Sequence, residues 1–132
     1  MPCLLIFREP SPQPYAQMSA EQREQLMGRW NAWYDGLAAA GKVEHGHPLE
    51  PTGRIVSGGR GQPVVDGPFA EAKEAIGGYF FLNVSGLEEA TEIARGCPSL
   101  ELGLVVEVRP IAATCPRLGL PGRSAQAAAQ AY

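Results

Sequence analysis

Two hydrophobic periods alternate along this chain, and their order restricts the fold more than any other feature. Cys3-Leu4-Leu5-Ile6-Phe7 is a continuous apolar run followed closely by turn formers, the pattern of a central strand. Leu26, Trp30, Trp33 and Leu37 then recur at helical spacing, with Met27 and Tyr34 beside them. Ser19, with Gln22 three residues on, forms a capping-box pattern at the start of that helix, and Gly41 ends it as a C′ glycine. Between these elements Pro10, Pro12 and Pro14 predict an extended loop.

The second half repeats the theme. Val43 to Ser57 reads as one irregular edge strand, interrupted by Pro48, Pro51 and Gly53. Gly58-Gly59-Arg60-Gly61 reads as a hairpin loop, and Pro63-Val64-Val65 as a short strand running into Asp66-Gly67-Pro68-Phe69. Gly78 to Val84 has strong strand composition. Ser85, with Glu88 three residues on, predicts a second capped helix over about Leu87 to Arg95, stopped by Gly96 and Pro98. Leu102 to Val108 predicts the last strand.

Strand, helix, strands, helix, strand is the split β-α-β order of an α+β, ferredoxin-like fold, βαββαβ, with both helices on one face of an antiparallel sheet. The other sheet face keeps apolar side chains that one subunit has no second layer to cover. Two such faces packed together predict a homodimer. The expected domain spans residues 1–115. Residues 116–132 form a tail whose helix-prone segment Ala125 to Ala131 is too short to stand alone, so it is expected to pack on its own domain or on the partner subunit.

Composition narrows the function classes. The net charge is −3 with no Lys or Arg run, which argues against a nucleic-acid partner. The longest apolar run has five residues, far short of a membrane span, and no signal-peptide pattern is present. Cys3, Cys97 and Cys115 lack Cys-x-x-Cys spacing, so reduced thiols in a cytoplasm are expected, with Cys97 inert.

Three groups of polar residues carry the candidate chemistry. Asp66 beside Gly67-Pro68 reads as an Asx-type turn or, functionally, as a carboxylate at a cleft mouth acting as a base or ligand anchor. His45 and His47 share a face if the strand is extended. They read as surface residues, as an acid–base group, or as two of the three or four ligands a metal needs; no third ligand is evident, so no metal or other cofactor is expected. Glu71, Lys73 and Glu74 form a mixed-charge cluster, read as solvated surface or as a network with Arg109; alternatively Lys73 or Arg109 binds an anion. Phe69 reads as a plug of the core or dimer seam, and Trp33 as core or as a cavity wall. No nucleophile elbow or phosphate loop is present around Ser57 to Gln62.

Val64-Val65-Asp66-Gly67-Pro68-Phe69-Ala70-Glu71-Ala72-Lys73-Glu74, followed by Ile76-Gly77-Gly78-Tyr79-Phe80, closely resembles the signature of the YCII-related proteins, in the branch called DGPF-domain proteins. Glu107-Val108-Arg109-Pro110 resembles the family's closing strand, and Ala94 to Pro98 the end of its second helix. The resemblance covers about residues 3–111. It implies a dimeric α/β barrel of ferredoxin-like subunits. It also implies, for some members, association with extracytoplasmic-function sigma factors. In the wider group a His–Asp pair is implied as catalytic, but no His precedes His45 here, so that pair has no counterpart on the first helix.

The leading expectation is a small-molecule enzyme or binder with a cleft between helix and sheet. Asp66, His45 and His47 would be its catalytic candidates. Lys73, Arg109, Glu71, Glu74, Phe69 and Trp33 would be its ligand contacts. The alternatives are a non-catalytic regulatory module linked to sigma factors and a purely structural dimer module.

Overall fold

The structure is a computed structural model that describes residues 1–67 and 75–122. In chain order its elements are β1 (Cys3–Glu9), α1 (Gln13–Ala16), α2 (Ala20–Ala39), β2 (Val43–Pro48), β3 (Gly53–Val56), β4 (Val64–Gly67), β5 (Ala75–Leu82), α3 (Leu87–Ala94), a 3-10 turn (Leu100–Leu102) and β6 (Val105–Pro110). Four strands form an antiparallel sheet in the order β2-β5-β1-β6, which is the ferredoxin-like arrangement. The apolar run Cys3 to Phe7 lies in the middle of that sheet, where its composition placed it.

Alternation along β1 divides the sheet into two faces. Cys3, Leu5 and Phe7 are buried and join Phe80, Leu82, Ala90, Ala94 and Leu104 in one core. Trp30, Trp33, Tyr34 and Leu37 of α2 pack against it while keeping their outer edges wet. Phe80 is the hub: its ring centroid lies 4.9 Å from Phe7, 5.0 Å from Trp33 and 5.2 Å from Tyr34. Such edge-to-face and tilted contacts add to simple burial. Gly46 makes room for that ring, because a Cβ there would sit 2.5 Å from Phe80 Cδ1.

The ends of α2 follow the sequence. Ser19 accepts from the Gln22 backbone N–H and Gln22 accepts from the Ser19 N–H, a complete capping box. Gly41 takes φ +72°, the left-handed C′ position.

Four local expectations are corrected. The proline segment is not wholly extended: residues 13–16 form one helical turn, with Pro14 in the opening positions that tolerate a missing N–H. Val43 to Ser57 is not one strand. Chain between Pro48 and Gly53 breaks it, and β3 pairs with β4 in a separate hairpin. α3 is not capped by the Ser85 side chain; Gly86 is its N-cap, and the Glu89 carboxylate, not Glu88, accepts from the Ser85 N–H. The last strand begins at Val105, because residues 100–102 coil into the 3-10 turn and Gly103 reverses the chain at φ +95°. The tail beyond residue 122 lies outside the described residues. Among the described residues no helix is long and apolar enough to cross a membrane.

Candidate functional site

Two bulges decide which side chains meet. In β2 the register shifts between Val43 and His45, so Glu44 has no opposite residue. This turns His45 and His47 away from the core, opposite Phe81 and Tyr79. The expected shared face of the two histidines is therefore found, on the open side of the sheet. His45 Nδ1 lies 3.1 Å from Tyr79 Oη, and its ring stacks on Phe81 at 5.1 Å. Among the described residues no third His, Cys, Asp or Glu joins them in a metal-binding group.

The same open face carries Leu4, Ile6 and Val105. It also carries an ion network: Glu107 binds Arg8 at 2.6 Å and Arg109 at 3.0 Å. These two guanidiniums hold the Glu107 carboxyl below its usual range, Arg109 contributing most. Arg109 is thus joined to Glu107 and, through it, to Arg8; its expected partners Glu71, Lys73 and Glu74 lie outside the described residues.

The second bulge lies in β5, where Phe7 pairs with Gly78 and Arg8 with Ile76, leaving Gly77 extra. A Cβ on Gly77 would stand 3.2 Å from Glu9 Cγ, and one on Gly78 would stand 2.8 Å from the His47 carbonyl. Two glycines therefore let the end of β1 and the end of β2 close tightly around β5. On the helix side of this corner opens a cavity of about 480 Å³ between α2 and the sheet, closed at one end by α1. Its walls are largely apolar: Phe7, Phe80 and Leu104 from the sheet side, and Leu26, Trp30 and Tyr34 from α2. This volume falls within the range of small-molecule pockets.

Glu9 and Tyr15 put polar chemistry into that cavity. Tyr15 Oη donates to Glu9 Oε1 at 3.0 Å. Burial pushes the Glu9 carboxyl above its ordinary value, and the Tyr15 hydrogen bond offsets this only in part. Burial likewise pushes the Tyr15 hydroxyl up. Behind them the fully buried Ser99 accepts from Trp30 Nε1 at 2.9 Å, which fixes the indole along the cavity wall. Arg23, at the rim, donates to the carbonyls of Tyr15 and Ala16 and so holds α1 against α2.

Sequence reasoning overlooked Glu9 and Tyr15, since a Glu before Pro10 looks like a solvated strand end. The signal that pointed to them was Gly77-Gly78 inside a strand pattern, which marks a bulge or a close approach. Asp66 lies elsewhere: it is an exposed β4 residue paired with Arg54 in the hairpin, and it does not line the cavity; the turn that would follow it lies outside the described residues. Trp33 packs on Phe7 and Phe80 beside the cavity without lining it. His47 reaches the cavity rim, whereas His45 does not. Phe69, Glu71, Lys73 and Glu74 lie outside the described residues. Cys97 is buried and its thiol is pushed up to about 11 by that burial, as expected of an inert cysteine.

An uncharacterised protein of Rhizobium meliloti (strain 1021) is 33% identical over 98 residues, spanning 71% of this chain and 79% of that protein. Among solved structures, 5-chloro-2-hydroxyhydroquinone dehydrochlorinase (TftG) of Burkholderia phenoliruptrix AC1100, in complex with 2,5-dihydroxybenzoquinone, aligns with a TM-score of 0.49 and 16% identity. That alignment covers 85% of this chain and 94% of the other. The sequence pattern of the YCII-related domain matches residues 4–113. The chain belongs to the YCII-related domain family.

Proposed function

We propose that this chain is a small-molecule-binding domain whose ligand occupies the cavity between α2 and the sheet, anchored by Glu9 and Tyr15. The observation that carries this reading is a single one: a half-buried carboxyl, hydrogen-bonded by Tyr15, faces an apolar cavity of about 480 Å³. Apolar walls supply affinity, and a few convergent polar groups supply orientation. A carboxyl whose proton affinity is raised by desolvation is suited to exchange a proton with a bound molecule, which is the role a general base or acid requires.

Ligand entry should be visible at Trp30. The chain has two tryptophans, so Trp33→Phe leaves Trp30 as the sole indole. Titrating this variant with small neutral aromatic compounds is expected to shift or quench its fluorescence saturably. A folded variant whose emission responds to none of them would remove the reading.

The proposed assembly is a homodimer formed through the open sheet face. Its support is the set of Leu4, Ile6, Tyr79, Phe81 and Val105 on a face opposite all the described helices. Sedimentation equilibrium is expected to give twice the chain mass of 14.1 kDa, and a monomer at high micromolar concentration would contradict it.

A further inference from the structure

The charge inside the cavity is one-sided. Glu9 has Tyr15 as its single hydrogen-bond partner and no cationic partner among the described residues. The cation at the rim, Arg23, turns its guanidinium to two backbone carbonyls, at 3.2 Å and 3.5 Å. The rest of the wall is aromatic and aliphatic, with Trp30, Tyr34 and Phe80 closest to the core. A half-buried carboxylate among aromatic rings is less well solvated than in water, and no ion pair among the described residues offsets its charge. A cationic ligand would supply such a counter-charge.

Resting on the reading of this cavity as a ligand site, we propose that it selects molecules bearing an organic ammonium group on an apolar or aromatic body, with Glu9 as the counter-ion. The ammonium replaces the solvation that Glu9 loses and forms a charge-assisted hydrogen bond to it. Aromatic walls add cation–π attraction and accept the apolar body. A neutral isostere gains only the burial, and an anion is repelled by the same carboxylate. The titratable or charged groups lining the site are Glu9 from β1, Tyr15 from α1, and Arg23 and Tyr34 from α2; His47 of β2 borders the rim while its ring lies on the open face of the sheet beside Tyr79. Of these, Glu9 is the group whose ionisation creates the negative charge an ammonium needs in the acidic range. Affinity for the amine should therefore rise with pH as Glu9 loses its proton.

Three probes of similar shape decide the matter by calorimetry at pH 8: 2-phenylethylamine, 2-phenylethanol and 3-phenylpropionate. The amine is expected to bind on the order of tenfold tighter than the alcohol, with the carboxylate weakest. Glu9→Gln should abolish the amine's advantage over the alcohol, since the isosteric amide carries no charge. Should Glu9→Gln not fold, the wild-type profile decides: amine affinity rising from pH 4 to 8 supports the proposal, and a flat profile overturns it. Alcohol binding as tight as amine binding, or an amine advantage that survives Glu9→Gln, overturns the proposal while leaving the cavity as a ligand site. Binding of none of the three overturns both.

Discussion

Phe80→Ala is expected to destabilise the domain by about 3–5 kcal/mol, the range for deleting a buried aromatic ring. The ring is 7% exposed and stands at the junction of both layers, touching Phe7 from β1 and three aromatic residues of α2. Its removal leaves a void that cannot collapse easily. The sheet is held by hydrogen bonds on both sides of β5, and of the large sheet side chains under α2 only Phe7 would remain in contact with Trp30 and Trp33. Total stabilities of such domains are about 5–15 kcal/mol, so the variant would approach the folding threshold. Phe80→Leu should recover much of the loss by keeping apolar volume in place. Urea unfolding followed by circular dichroism checks both; a loss below about 1 kcal/mol for the alanine variant would show that α2 is held by something other than this cluster.

Glu9→Leu is expected to change how stability depends on pH, with a sign opposite to that of a paired carboxylate. Burial raises the folded-state value of Glu9, so between the ordinary value and the raised one the native chain binds more protons than the unfolded chain. The contribution of the protonated carboxyl is fully present below the unfolded value and is lost as pH rises through the folded value. Glu107 and Glu89 behave the other way. Their cationic and backbone partners lower them, Glu89 to about 2, so their contributions are present above the ordinary value and lost as pH falls. In Glu9→Leu these terms are common to both proteins and cancel. The wild type should therefore lose ground to the variant as pH rises from about 4 to 7, by an amount that measures the cost of ionising Glu9 in the cavity. Paired urea titrations across that range check the slope; parallel curves would mean that Glu9 is as well solvated folded as unfolded.

Much of the architecture was legible because it depends on period and punctuation. Cys3 to Phe7, the α2 stripe, Ser19 with Gln22, and Gly41 each specify a local conformation through their own chemistry, and the four-strand order follows from their succession. The site was less legible because it depends on register. One extra residue at Glu44 moves His45 and His47 to the open face, and an extra glycine at 77 lets β5 lie close against Glu9. Neither shift has a hydrophobic period to announce it. Tyr15 was hidden for a related reason: three prolines suggested extended chain, whereas Pro14 sits in the first helical positions and tilts Tyr15 toward Glu9. Asp66 drew attention through its neighbours, Gly67 and Pro68, yet its backbone is spent on pairing with β3.

Glu9 connects the fold, the cavity and the ligand chemistry, and its ionisation can be observed directly. With glutamate side chains labelled at the carboxyl carbon, the Glu9 resonance is assigned by its loss in Glu9→Gln and followed from pH 3 to 8 in the ligand-free protein. A midpoint clearly above the ordinary 4.5 is the predicted result. A midpoint at or below that value would mean that water or a cation already solvates the carboxylate, and the cavity would then lack the desolvated anchor on which its proposed function rests.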